Sequence, residues 1–222
     1  PRLADAKFFW AQDAKQTLEA RLEHLKAIVF QKQLGSIYDK SLRVSKLASH
    51  ISNLIGGNPD LAERAGLLSR CDLVTEMVYE FADMQGIMGR YQAQRDGENS
   101  EVAQAVDEIY MPRFSGDQLR RSQTGIALAL ADRLDTVTGI FGIGLKPSGT
   151  KDPFALRRAS LGLLRILREY SLSLNLHDLI GESISLHGNS LTENATSSEV
   201  NTYILERLKG IFSEDGISTK LI

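Results

Sequence analysis

RCDLVTEMVYEFADMQGIMGRY, residues 70–91, holds the chain's only cysteine and three of its four methionines. At about 100° per residue, Leu73, Val74, Met77, Val78, Phe81, Met84 and Met88 share an arc of roughly 140°, with Thr75, Glu76, Tyr79 and Asp83 opposite. The stretch therefore reads as one central core helix. The Cys71-Asp72 pair at its start raises a second question, because a thiol beside a carboxylate is also metal-ligand chemistry.

The same period continues on both sides. Residues 13–30 (Leu18, Leu22, Leu25, Ile28, Val29) and 41–55 (Val44, Leu47, Ile51, Leu54, Ile55) repeat the three- and four-residue spacing of an amphipathic helix. Gly56-Gly57 stops the second, and Asn58-Pro59-Asp60 opens another over 61–68. Helices are also expected at 101–110 and at 125–141, the latter nearly all apolar and so deeply buried. The Gly- and Pro-bearing segment 142–151 reads as a loop. Residues 152–170 form a helix with Asp152 as N-cap and Pro153 in its first turn. The Ser- and Asn-rich stretch 181–199 reads as a polar connection, followed by a short helix over 200–212. No alternating strand pattern is visible, so the fold class is all-α: a helical domain over 1–180, then the connection and the start of a further helical region over 181–222.

Composition narrows the function classes. Hydrophobic content of 42% and charged content of 24% fit a globular protein. No apolar run approaches the ~20 residues of a membrane helix, and a single cysteine forms no internal disulfide. The first residue is Pro1 rather than Met, which suggests a piece of a longer chain. A net charge of −2 gives no global attraction to nucleic acid, so any such binding rests on local patches.

Two patches stand out. On the 152–170 helix, Arg157, Arg158, Arg165 and Arg168 fall within an arc of about 100°, interrupted by Leu161. Residues 151–170 carry five Lys/Arg, Lys151 included, against two acids, whereas 171–222 carry three against seven. With Lys146 in the preceding loop, this face suits bidentate guanidinium–phosphate contacts, although charged stripes also serve simply to solvate a helix. Lys40, Arg43, Lys46 and His50 form a second basic strip, open to the same two readings.

KSLRVSKLASHI, AGLL with RCDL, and ALADRLD resemble the helices that carry metal ligands in the HD phosphohydrolase superfamily. On that frame the first His position holds Lys40, the His-Asp pair falls at Cys71-Asp72, and the last Asp is Asp132. Both histidines are missing: a protonated Lys40 cannot ligate, and one thiol with two carboxylates makes a poor hard-metal site. The expectation is a degenerate site with no metal and no catalytic residue. The literal His177-Asp178 lacks the surrounding frame.

A more specific resemblance rests on LADAKFFW, FQKQLGSIYDKSLRV, CDLVTEMVYEFADMQGIMGRYQAQRDGE, VAQAVDEIYMP, ALADRLDTVTGIFGIGLKPSGTKDPFALRRASLGLLRI and YILERL. Together these are similar to the β subunit of bacterial-type glycyl-tRNA synthetase, over most of 2–180 and more loosely beyond. The resemblance implies a cytoplasmic heterotetrameric ligase whose α subunit uses ATP and Mg to form glycyl-adenylate. It implies that β binds tRNA-Gly, and that this chain is its non-catalytic HD-like domain, next to other β domains. The tRNA-binding candidates are then Lys40, Arg43, Lys46, Lys146, Lys151, Arg157, Arg158, Arg165 and Arg168. A metal-dependent HD phosphohydrolase and a purely structural scaffold are the alternatives.

Overall fold

A computed structural model describes residues 2–113, 122–147, 150–192, 197–214 and 216. The chain divides into two compact units, Pro1–Ala131 and Asp132–Ile222. Helices dominate both, as the apolar periodicity predicts. Among the described residues the only sheet is a two-stranded antiparallel hairpin.

The first unit runs α1 (Arg2–Asp13), α2 (Leu18–Arg21), a 3-10 turn (Leu22–Ala27), β1 (Val29–Gln31), β2 (Gly35–Ser36), α3 (Ile37–Leu54), α4 (Pro59–Leu68), α5 (Glu76–Glu80), α6 (Ile87–Arg95) and α7 (Ser100–Glu108). α3 starts on a capping box, in which Ser36 and Asp39 satisfy each other's backbone N–H groups. α4 starts on Asn58, whose side chain accepts from Asp60 N and Leu61 N, with Pro59 in the first turn. The two helices pack so closely that a Cβ at Gly66 would stand 2.4 Å from Ser45 Cα. Leu47, Ile51, Ala62, Ala65, Leu68, Val102 and Val106 fill this core, each large aliphatic contributing roughly 1.5–3 kcal/mol by burial. α8 (Gln123–Gly142) begins in this unit with residues 124–131 all buried, in line with its apolar sequence.

Two expected helices are not continuous. Residues 13–30 break after α1, because Asp13 turns its carboxylate onto Glu76 N (2.9 Å) and Met77 N (3.0 Å). Thr17 then caps α2, and the chain passes through the 3-10 turn into β1. Residues 70–91 split into a 3-10 turn (Cys71–Val74), α5, a second 3-10 turn (Ala82–Met84) and α6. Side chains cause the breaks by competing for backbone N–H groups. Thr75 is extended and caps α5 through Val78 N, Asp13 takes the two preceding donors, Glu76 N and Met77 N, and Gly86 adopts φ +81° before α6. The apolar arc still faces inward in part: Met77 and Val78 are buried, and Leu73, Val74, Phe81, Met84 and Met88 are half-buried.

The second unit contains the end of α8, α9 (Leu156–Glu169), α10 (Leu176–His187), α11 (Ser197–Leu205) and α12 (Leu208–Glu214) around Leu134, Val137, Ile140, Leu156, Leu163, Ile166, Ile180, Val200 and Ile204. The stretch 181–199 is not a simple connection, because α10 runs into it as far as His187. Its serines mislead by composition: Ser183 is buried, its hydroxyl 2.6 Å from that of Thr138. Beside it, buried His187 Nε2 lies 3.2 Å from the Asp135 carbonyl. The helix expected at 200–212 is two helices, α11 and α12.

Candidate nucleic-acid interface

The basic face lies on α9, and its start differs from the sequence expectation. Asp152 and Pro153 stand before the helix in a turn that ends at Ala155, a left-handed residue with φ 54°. Asp152 still caps α9 from that turn, accepting from Leu156 N at 2.8 Å and Arg157 N at 2.9 Å. Leu156, Ser160, Leu163, Leu164 and Ile166 are buried, which turns the opposite side outward. There Arg158 and Arg168 are exposed, Arg157 and Arg165 half-buried, and Leu161 is 42% exposed between them. Arg165 Nε stands 3.7 Å from Glu169 Oε2, a loose pair one turn apart.

The flanking groups are partly committed. Lys146 Nζ pairs with Glu199 at 3.0 Å, whereas Lys151 is exposed. Arg207 stacks on Tyr203 at 4.7 Å, and Tyr203 packs on Phe141 with ring centroids 4.7 Å apart. Burial pushes the pKa of the Tyr203 phenol above its ordinary value, opposed by the positive charges of Arg207 and Arg157.

In the first unit, the second basic strip divides by depth. Lys40 is buried, its ammonium 4.8 Å from the Phe30 ring centroid, a cation–π contact rather than a surface charge. Half-buried Arg43 donates to Leu34 O at 3.1 Å, tying α3 to the β1–β2 turn. Lys46 and His50 are exposed.

The residues that the resemblance sets at metal-ligand positions make other contacts. Cys71 is fully buried, and its thiol is pushed up to about 12, first by burial and then by the charge of Asp72. It is therefore a neutral thiol at physiological pH rather than a thiolate ligand. Asp72 is also fully buried, and its Oδ2 accepts from Gly86 N at 2.6 Å, placing the carboxylate at the start of α6. Burial pushes it up to about 6, against the N–H groups of Gly86 and Gly89 that hold it down. Asp132 is half-buried on α8, where its carbonyl accepts from Thr136 Oγ1 at 2.9 Å. An ammonium, a neutral thiol and a carboxylate bonded to helix N–H groups do not fit a divalent cation. Among the described residues no three His, Cys, Asp or Glu side chains are grouped to hold a metal. The literal pair His177-Asp178 is exposed on the first turn of α10, with His177 Nε2 3.1 Å from Ser197 Oγ.

One guanidinium cluster is not signalled by any run of basic residues. Asp107 receives Arg113 at 2.5 Å and Arg90 at 3.1 Å, while Arg70 stacks on Tyr110 at 4.7 Å. Its members come from separate segments, so only the fold brings them together.

The family model for the glycyl-tRNA synthetase beta subunit matches residues 1–222. The chain is 54% identical over 221 residues to the glycine–tRNA ligase beta subunit of Marinobacter nauticus. It is 51% identical over 222 residues to that of Pseudoalteromonas translucida, and 52% over 221 to that of Hahella chejuensis. Each alignment takes in 100% of this chain and 32% of the relative, so the chain spans about a third of the length of these proteins. With the whole sequence covered at more than half identity, the chain belongs to the glycyl-tRNA synthetase beta subunit family.

Proposed function

We propose that this chain is a tRNA-binding and positioning part of the β subunit of glycine–tRNA ligase. It performs no chemistry of its own, while the α subunit of the heterotetramer uses ATP and Mg to form glycyl-adenylate. The observation that carries the reading is the α9 face: Arg158 and Arg168 exposed, Arg157 and Arg165 half-exposed, and the apolar side buried. Guanidinium groups in a row on one rigid helix bind phosphate oxygens bidentately and release counter-ions from the RNA. Leu161, exposed among them, offers an apolar contact to ribose or a base. Recognition of this kind reads backbone shape and 2′-hydroxyls rather than sequence, which suits a domain that holds tRNA-Gly while specificity is set elsewhere. Lys151 extends the face, and Lys46 on α3 supplies a separate exposed cation in the first unit. Lys40, Cys71, Asp72 and Asp132 are read as the altered positions of an HD-like metal site whose donors have been lost. The reaction placed on α implies a cytoplasmic enzyme, with further β domains beyond this chain.

Charge reversal of the two exposed arginines, Arg158→Glu with Arg168→Glu, tests this in the full-length α/β enzyme. The apparent KM for tRNA-Gly should rise about tenfold or more, from two lost charge-assisted contacts, with adenylate formation unchanged. A scaffold reading is favoured by Tyr79 at 84% and Phe8 at 57% exposure, large aromatics on the mutually packed α5 and α1. It predicts an unchanged KM for tRNA and weakened assembly on Tyr79→Ala.

A further inference from the structure

Gly162 is buried on α9, and a Cβ there would stand 2.7 Å from Arg133 Nε, 3.5 Å from its Cδ and 3.6 Å from its Cζ. The Arg133 side chain, coming from α8, thus lies directly on the α9 backbone at the one position without a side chain to exclude it. On the helix surface the neighbours of position 162 are Arg158, four residues before, and Arg165, three residues after. Going round the helix at about 100° per residue, Gly162 sits roughly 40° beyond Arg158, at the edge of the basic arc. Arg133 therefore borders that arc, level along the helix axis with the gap between Arg158 and Arg165. It is half-buried, so part of the side chain meets solvent. Nothing in the one-dimensional pattern of α8 marks it, since in ALADRLDTV it stands singly between Asp132 and Asp135 rather than in a basic run.

We propose that Arg133 is a further RNA-phosphate contact of the α9 face, and that Gly162 is the positioning residue that admits it. Three guanidinium groups, those of Arg158, Arg133 and Arg165, then form a row along one edge of α9, with Glu169 at its end. Arg133 is braced by backbone on one side, so it loses less rotamer freedom on binding phosphate than a free surface arginine. This rests on the tRNA-binding reading of α9, and the test separates the two.

Binding of tRNA-Gly by the full-length protein is measured across a salt series for Arg133→Gln, Arg133→Lys, Gly162→Ala, the Arg133→Gln/Gly162→Ala double variant, and Arg158→Glu/Arg168→Glu. Arg133→Gln should weaken binding about tenfold and lower the salt slope by about one. Arg133→Lys should keep the slope. Gly162→Ala displaces only a flexible side chain and places a better helix former in α9. Its Tm should hold or rise while its affinity falls, a combination that a purely structural role does not give. The double variant should bind no worse than Arg133→Gln alone. Wild-type affinity in Arg133→Gln, or in Gly162→Ala, overturns the assignment while a weakened Arg158→Glu/Arg168→Glu leaves the α9 reading standing. Wild-type affinity in that arginine pair as well overturns the reading on which the proposal rests. Should Arg133→Gln fail to fold, Gly162→Ala decides alone.

Discussion

Replacing Asp72 with Asn makes a buried carboxylate report on its own environment. Its Oδ2 accepts from Gly86 N, and among the described residues its Oδ1 is buried without a hydrogen-bond partner. The carboxyl titrates at 3.8 in an unfolded chain and at about 6 in the fold, so the ionised form costs the fold about 3 kcal/mol at neutral pH. The sign follows from proton binding. Well below the unfolded value of 3.8 both states hold the proton and the fold has its full stability from this group. As pH rises toward 6 the unfolded chain gives the proton up first, and stability falls until the native carboxyl has also ionised. Between pH 4.5 and 7.5 the change from this group is about 2 kcal/mol. Asn does not titrate, and the effect of placing its amide at the Oδ1 position is constant with pH. Urea unfolding of both proteins, followed by fluorescence of Trp10 in the same unit, gives the difference in stability at each pH. That difference should move by about 2 kcal/mol in favour of Asp72→Asn from pH 4.5 to 7.5. A flat difference, or one that moves the other way, refutes the description of Asp72 as a buried, desolvated cap of α6.

Gly66→Ala should destabilise by about 2 kcal/mol despite the gain in helix propensity, because Ser45 Cα, backbone of the facing helix, cannot yield; calorimetry should show Tm lowered by about 5 °C. Asp152→Ala removes the acceptor for Leu156 N and Arg157 N and should cost about 1–2 kcal/mol, with faster hydrogen exchange at those two amides. Asp152→Asn, which keeps an acceptor oxygen, should retain most of that stability.

The sequence was most legible where local signals and tertiary packing agree. α3, α4, α7 and α8 lie close to where apolar period, Asn58-Pro59 and Gly56-Gly57 place them. It was least legible where distant side chains intervene. Nothing in residues 70–91 reveals that Asp13 reaches across 63 positions to cap α5, so a broad apolar arc reads as one helix. Asp152 is identifiable as a cap of α9, but the left-handed Ala155 between cap and helix is not. The serines of α10 resemble linker composition because the burial of Ser183 against Thr138 exists only in the fold. The arginine face of α9 is visible from periodicity alone, whereas the burial of Lys40 and the engagement of Arg43 and Lys146 arise only from tertiary packing. Arg133 is invisible for the same reason: what admits it is a glycine on another helix.

The most direct test of tRNA binding through α9 is the salt dependence of tRNA-Gly affinity, compared between the full-length wild type and Arg158→Glu/Arg168→Glu. If those arginines neutralise phosphates, log K falls linearly with log salt for the wild type, and the variant's slope is shallower by about two. Identical slopes and affinities for the two proteins would contradict the account and leave α9 as a solvated helix face.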